Sequence, residues 1–133
     1  MSKYPIREPK LDELINRAVR AAKKGSKEIC GLIVDNKCCL DLIECKNKSR
    51  RPAHSEFYYQ EVRRIVNVAK TLNYEVVGTF HSHPFGLAQP GKTDINYAVN
   101  DSLMLIFDCT NRKAKLWHIK NGKAKRVQFK IIP

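Results

Sequence analysis

The chain has 133 residues, 43% apolar and 29% charged, with six Gly and six Pro; this composition excludes disordered and fibrous classes and fits one globular domain over 1–133. Lys and Arg number 25 against 13 Asp and Glu, a formal charge of +12 that suits acidic protein or nucleic acid as partners. No apolar run of about eighteen residues is present and the start, MSKYPIREPK, lacks a secretory hydrophobic stretch, so no membrane partner is expected and the cytoplasm is the expected compartment.

In chain order, LDELINRAVRAAKK (Leu11 to Lys24) places Leu11, Leu14, Ile15, Ala18, Val19 and Ala22 on one helical stripe, and Gly25 closes it. EICGLIVD and CCLDLIEC are short apolar or alternating runs around DNK, which predicts an antiparallel hairpin. A polar, basic loop from about Lys46 to Ser55 leads to a second helix in FYYQEVRRIVNVAKTL, where Tyr58, Val62, Ile65, Val66 and Ala69 recur every three or four positions. YEVVGTFHSH reads as a strand ended by Pro84. Thr93 is placed to cap a short helix, DINYAVND. Three closing strands follow in LMLIFDC, KAKLWHIK and RVQFKII, with turns at TNR and NG. The order predicts an α+β (mixed α/β) fold, a single layer of sheet with helices packed against it.

Five cysteines without CxxC spacing, Cys30, Cys38, Cys39, Cys45 and Cys109, argue against a disulfide framework or a zinc knuckle and read as reduced thiols. Basic residues gather at Arg17–Lys27, Lys46–Arg51 and Arg112–Lys130. A solvated surface is the simplest account of each, since neither an aromatic-rich RNA-binding signature nor helix-turn-helix spacing accompanies them.

The segment GTFHSHPFGLAQPGKTD, residues 78 to 94, carries the chemistry. Residues two apart on a strand share a face, so His81 and His83 present both imidazoles to one side and Ser82 points to the other. Catalytic zinc takes three protein ligands and leaves a fourth position to water. Asp94 is the natural third ligand, because the loop from Pro84 to Lys92 is long enough to bring its carboxylate back over the strand end. Two imidazoles and one carboxylate suit Zn²⁺ ahead of Fe²⁺ or Mn²⁺. Glu28, a carboxylate at the head of an apolar strand, is the candidate proton acceptor. His54 and His118 have no partner at ligand spacing and read as surface or packing residues, and Trp117 as a core or groove aromatic.

These residues resemble the JAMM (MPN+) metalloprotease domain: a glutamate heading an upstream strand, His-x-His-Pro, and an aspartate eleven residues after the second histidine. The resemblance runs from about residue 11 to 125 and is nearest to compact prokaryotic, archaeal and phage members. It implies a central mixed sheet flanked by helices in a cytidine-deaminase-like architecture. It further implies a zinc hydrolase of amide bonds in a protein or peptide substrate, often the isopeptide bond at a ubiquitin-like C-terminus. Carried over, His81, His83 and Asp94 would hold Zn²⁺, and Glu28 would pass the proton from water to the departing amine. The family serine three residues before the aspartate is Gly91 here. That serine is thought to donate to the forming oxyanion, so slow turnover, an unusual substrate or a weakly active protein are all open. Beside the hydrolase stand two alternatives, a non-catalytic interaction module on the same fold and a phage or cell-wall peptidase. HExxH, the nucleobase-deaminase signature and G-x-S-x-G are absent.

Overall fold

In the computed structural model, which describes residues 4–133, the chain opens with strand β1 (Pro5–Arg7) and helix α1 (Glu8–Lys23). The hairpin β2 (Cys30–Asp35) and β3 (Leu40–Cys45), helix α2 (Tyr59–Thr71) and strand β4 (Glu75–His83) follow. Helix α3 (Lys92–Tyr97) then precedes β5 (Ser102–Asp108), β6 (Lys113–Lys120), β7 (Lys123–Val127) and β8 (Lys130–Ile132).

Six strands form one mixed sheet in the order β3-β2-β4-β5-β6-β7. All neighbours are antiparallel except β4 and β5, which run parallel with α3 in their crossover. A parallel pair needs such a crossover, and it places both faces of the central strands under cover. β5 is accordingly buried at six of its seven positions. On one face, Leu11, Leu14 and Ala18 of α1 pack with Ile33, Phe80 and Leu105. On the other, Ala88 in the loop after β4 covers Met104, Ile106 and Ile119, with Ile95 and Trp117 at its margin. The α1 stripe is therefore the one that its apolar spacing predicts.

The expected single layer is incomplete. β1 and β8 form a separate two-stranded parallel sheet, with Ile6 opposite Ile131. The predicted closing run RVQFKII divides at Gln128 and Phe129, its first part ending β7 and its last part forming β8. Strands of three residues carry no measurable period, so neither β1 nor the division shows in the pattern. A second correction concerns α3. Its N-cap is Gly91 rather than Thr93, because the Asp94 carboxylate reaches back 2.8 Å to accept from the Gly91 N–H, and Ile95 N–H donates to the Gly91 carbonyl.

Two glycines permit the close strand contacts beneath the histidines. At Gly31 an added Cβ would stand 2.3 Å from the Phe80 ring, which packs edge-on against Phe107. At Gly78, next to the register shift between β2 and β4, it would stand 2.1 Å from the Leu103 carbonyl oxygen. That neighbour is backbone in the central parallel pair and has no rotamer through which to yield. Gly78→Ala is expected to destabilise the fold by about 3 kcal/mol through overpacking, lowering the thermal midpoint by roughly 10 °C. Urea unfolding of the variant beside the parent measures it.

Candidate metal centre

β4 is nine residues long and ends with the histidines. Its register pairs His81 with Cys30 on one side and Ile106 on the other, and His83 with Asp108. Paired residues share a face, so both imidazoles lie on the side covered by α3. The chain turns after Pro84, crosses above the sheet at Ala88, and enters α3 with Asp94 in its first turn.

Three donor atoms converge as a result. His81 Nε2 and His83 Nε2 are 3.1 Å apart, and Asp94 Oδ2 lies 3.4 Å from the first and 3.5 Å from the second. Ligands around four-coordinate zinc, at about 2.0–2.1 Å from the metal, stand about 3.3–3.4 Å from one another. The triangle has the size of one face of that tetrahedron. Among the described residues this is the one group of three or more His, Cys, Asp or Glu whose ligand atoms cluster so.

The hydrogen bonds around the triangle fit a cation at its centre. His83 Nδ1 lies 2.8 Å from the Leu87 carbonyl oxygen, which can only accept, so Nδ1 carries a proton and, in the neutral ring, Nε2 is the nitrogen left to bind a metal. The two imidazole nitrogens, 3.1 Å apart beside the Asp94 carboxylate, are close enough for one cation to bind all three groups. Burial opposes charge on each group. For Asp94, burial acts upward but hydrogen bonds from His81, His83 and the Gly91 N–H hold the carboxyl well below the usual range. For His83, burial acts downward and is outweighed by the bonds to Asp94 and the Leu87 carbonyl, which raise it.

Glu28 lies two residues before β2 begins, a small correction to its expected place in the strand. It is 8% exposed, and burial is the main cause of its raised pKa. The nearby His81 and a hydrogen bond from Ser55 pull the other way. Beside it a groove of about 500 Å³ runs past Arg17, Glu44, Lys46 and Asn47. Gly91, at φ −78° and ψ 170°, stands at the α3 N-terminus with no side chain to offer.

The other candidates fall elsewhere. His54 bonds Ser49 Oγ at 2.6 Å and His118 bonds Asp101 Oδ1 at 2.6 Å, both away from the triangle. Trp117 packs against the α3-side core and donates to the Ala88 carbonyl. All five thiols are free. Cys30 sits next to His81 and opposite Cys45, yet burial pushes its thiol up to about 12 and that of Cys45 to about 11, so neither offers the thiolate that a metal requires. The Leu87 carbonyl and Ser55 were not foreseen from the sequence. Their contacts depend on loop paths that leave no periodic signal.

Residues 11–120 match the family model described as prokaryotic homologs of the JAB domain. Among curated proteins none matches the sequence. The fold is similar to the solution structure of protein DSY2949 from Desulfitobacterium hafniense, with a TM-score of 0.80 at 20% identity over 97% of this chain and 92% of that one. It is also similar to AF2198, a JAB1/MPN domain protein from Archaeoglobus fulgidus, with a TM-score of 0.58 at 19% identity over the whole of both chains. A third structure, described as JAMM, a metalloprotease-like zinc site in the proteasome and signalosome, aligns with a TM-score of 0.60 at 16% identity over 98% of each chain.

Proposed function

The chain belongs to the prokaryotic homologs of the JAB domain, and from that membership we propose that it is a zinc-dependent peptidase or isopeptidase acting on a protein substrate, with a ubiquitin-like C-terminus as the leading candidate. The observation that carries this reading is the triangle of His81, His83 and Asp94 at tetrahedral spacing with the buried Glu28 beside it. One relative of similar fold is described as holding a metalloprotease-like zinc site, which supports the same ligand set here.

His81, His83 and Asp94 would hold the zinc, which when bound supplies a Lewis acid for the scissile carbonyl and a water of lowered pKa. Glu28 accepts the proton of the attacking water and delivers it to the departing nitrogen as the C–N bond breaks. Burial shifts its pKa upward, the direction that eases return of the proton to the leaving nitrogen. Burial of Glu28 and His81 keeps bulk water from competing for these contacts.

Protein purified without added metal is expected to carry about one zinc per chain, and the His81→Ala, His83→Ala double variant none. Elemental analysis reads both, and a metal-free parent would remove the hydrolase. A panel of ubiquitin-like fusions and short peptides then tests cleavage. One observation favours a second reading, an interaction module that keeps the fold and the metal: Gly91 offers no hydroxyl where the family has serine. Zinc at full occupancy without cleavage of any member of the panel is the result that selects it.

A further inference from the structure

Glu28 lies outside the β2 ladder, so no strand partner fixes its backbone. Two side chains do so instead. The peptide group between Glu28 and Ile29 is gripped at both ends: its carbonyl accepts from Asn47 Nδ2 at 3.0 Å, and its N–H donates to Ser82 Oγ at 2.9 Å. Ser82 is wholly buried between the two histidines of β4, and its own N–H donates back to the Ile29 carbonyl at 3.1 Å. The side chain that points away from the imidazoles thus ties the glutamate's segment to the strand that bears them.

Asn47 is spent completely on this region. Its amide donates to the Glu28 and His54 carbonyls, both at 3.0 Å, and its oxygen accepts from Ser49 N–H at 2.9 Å and Glu56 N–H at 3.1 Å. An asparagine amide has two donors and an oxygen with two lone pairs, so its capacity is full. Two of these contacts, at His54 and Glu56, bracket Ser55, whose side chain bonds the Glu28 carboxylate. One residue therefore holds the glutamate's main chain and the loop that touches its carboxylate.

We infer that Asn47 and Ser82 are positioning residues that clamp the Glu28–Ile29 peptide and thereby aim the Glu28 carboxylate at the space beside His81, His83 and Asp94. The inference rests on the hydrolase reading for its purpose, but the clamp itself is a matter of geometry. Neither residue is among the three converging donors. Their effect passes through Glu28, where a misplacement of about 1 Å is enough to cost roughly 10²-fold in rate.

The test uses the zinc-loaded full chain in three variants. Asn47→Asp is nearly isosteric, keeps an acceptor oxygen and loses both amide donors; Ser82→Ala removes the acceptor for Ile29 N–H; Ser82→Thr restores it. Amide hydrogen exchange at Ile29 is expected to accelerate about 10-fold or more in Ser82→Ala, the loss of one buried hydrogen bond, and to return towards the parent value in Ser82→Thr. Crystal structures of Asn47→Asp and Ser82→Ala are expected to show the Glu28 carboxylate displaced by about 1 Å or more, with zinc still at about one per chain. On a fusion that the parent cleaves, both variants lower kcat by about 10²-fold with KM unchanged, because only the proton transfer is disturbed. Glu28 unmoved in both structures overturns the inference, and so does loss of zinc from either variant, which would make the network a support for the metal strand. A parent that cleaves nothing overturns the hydrolase reading and leaves the structural arms to decide the clamp.

Discussion

Glu28→Gln is expected to reduce cleavage by about 10³-fold while zinc stays at full occupancy, since general acid–base catalysis contributes about 10²–10⁴-fold. Glutamine keeps the shape and the hydrogen bond to Ser55 but can neither accept the water's proton nor return one to the amine. Because the side chain is 8% exposed, bulk buffer has little access with which to replace it. The zinc should be indifferent, for Glu28 is outside the three-atom cluster. Steady-state cleavage beside elemental analysis reads both halves. A variant as active as the parent would show that the proton goes elsewhere.

Gly91→Ser should act in the opposite direction, raising kcat by about 10²-fold. An oxyanion donor is worth about 10²–10³ in rate when it is aimed at the developing charge, and glycine supplies no side chain for that task. The backbone is ready for the change. At φ −78° and ψ 170° the position is open to any L residue, and a Cβ would meet only Asp94 Oδ2, at an ordinary 3.5 Å. Serine is also a preferred N-cap, so α3 should gain a few tenths of a kcal/mol rather than lose stability. Turnover of the same fusion, with thermal unfolding as the control, measures the gain. An unchanged kcat in a folded, zinc-bound variant would remove the oxyanion account of Gly91.

The donor triangle was readable before the fold because its logic is local. His81 and His83 share a face through the two-residue period of a strand, and the loop to Asp94 needs only enough length to return. α1 was equally clear, since its sixteen residues repeat the apolar stripe several times. The cap of α3 differs from the expected residue although its signal is present in the sequence. Asp94 serves the N-cap backbone from the third helical position, as the glutamate of a capping box does, which sets the cap at Gly91; Thr93 drew attention as the better capping residue type. What sequence could not give is the set of contacts made by irregular backbone. Asn47 meets Glu28 across 19 residues and Ser82 meets Ile29 across 53, and neither distance follows from any periodicity.

The parallel pairing of β1 with β8 also dictates an order of events during refolding. Joining Ile6 to Ile131 closes a loop of about 125 residues, whereas the β2–β3 and β5–β6 hairpins close over a few. Chain closure of that span carries a larger entropic penalty than the hairpins, so the strap should form after the six-stranded sheet has assembled. Because β1 runs straight into α1, the first turn of that helix, which packs over Ile33, Phe80 and Leu105 further along, is fixed last. Late arrival of the cover leaves one greasy face of the nascent sheet bare for a time, and chaperone capture or aggregation would strike there first.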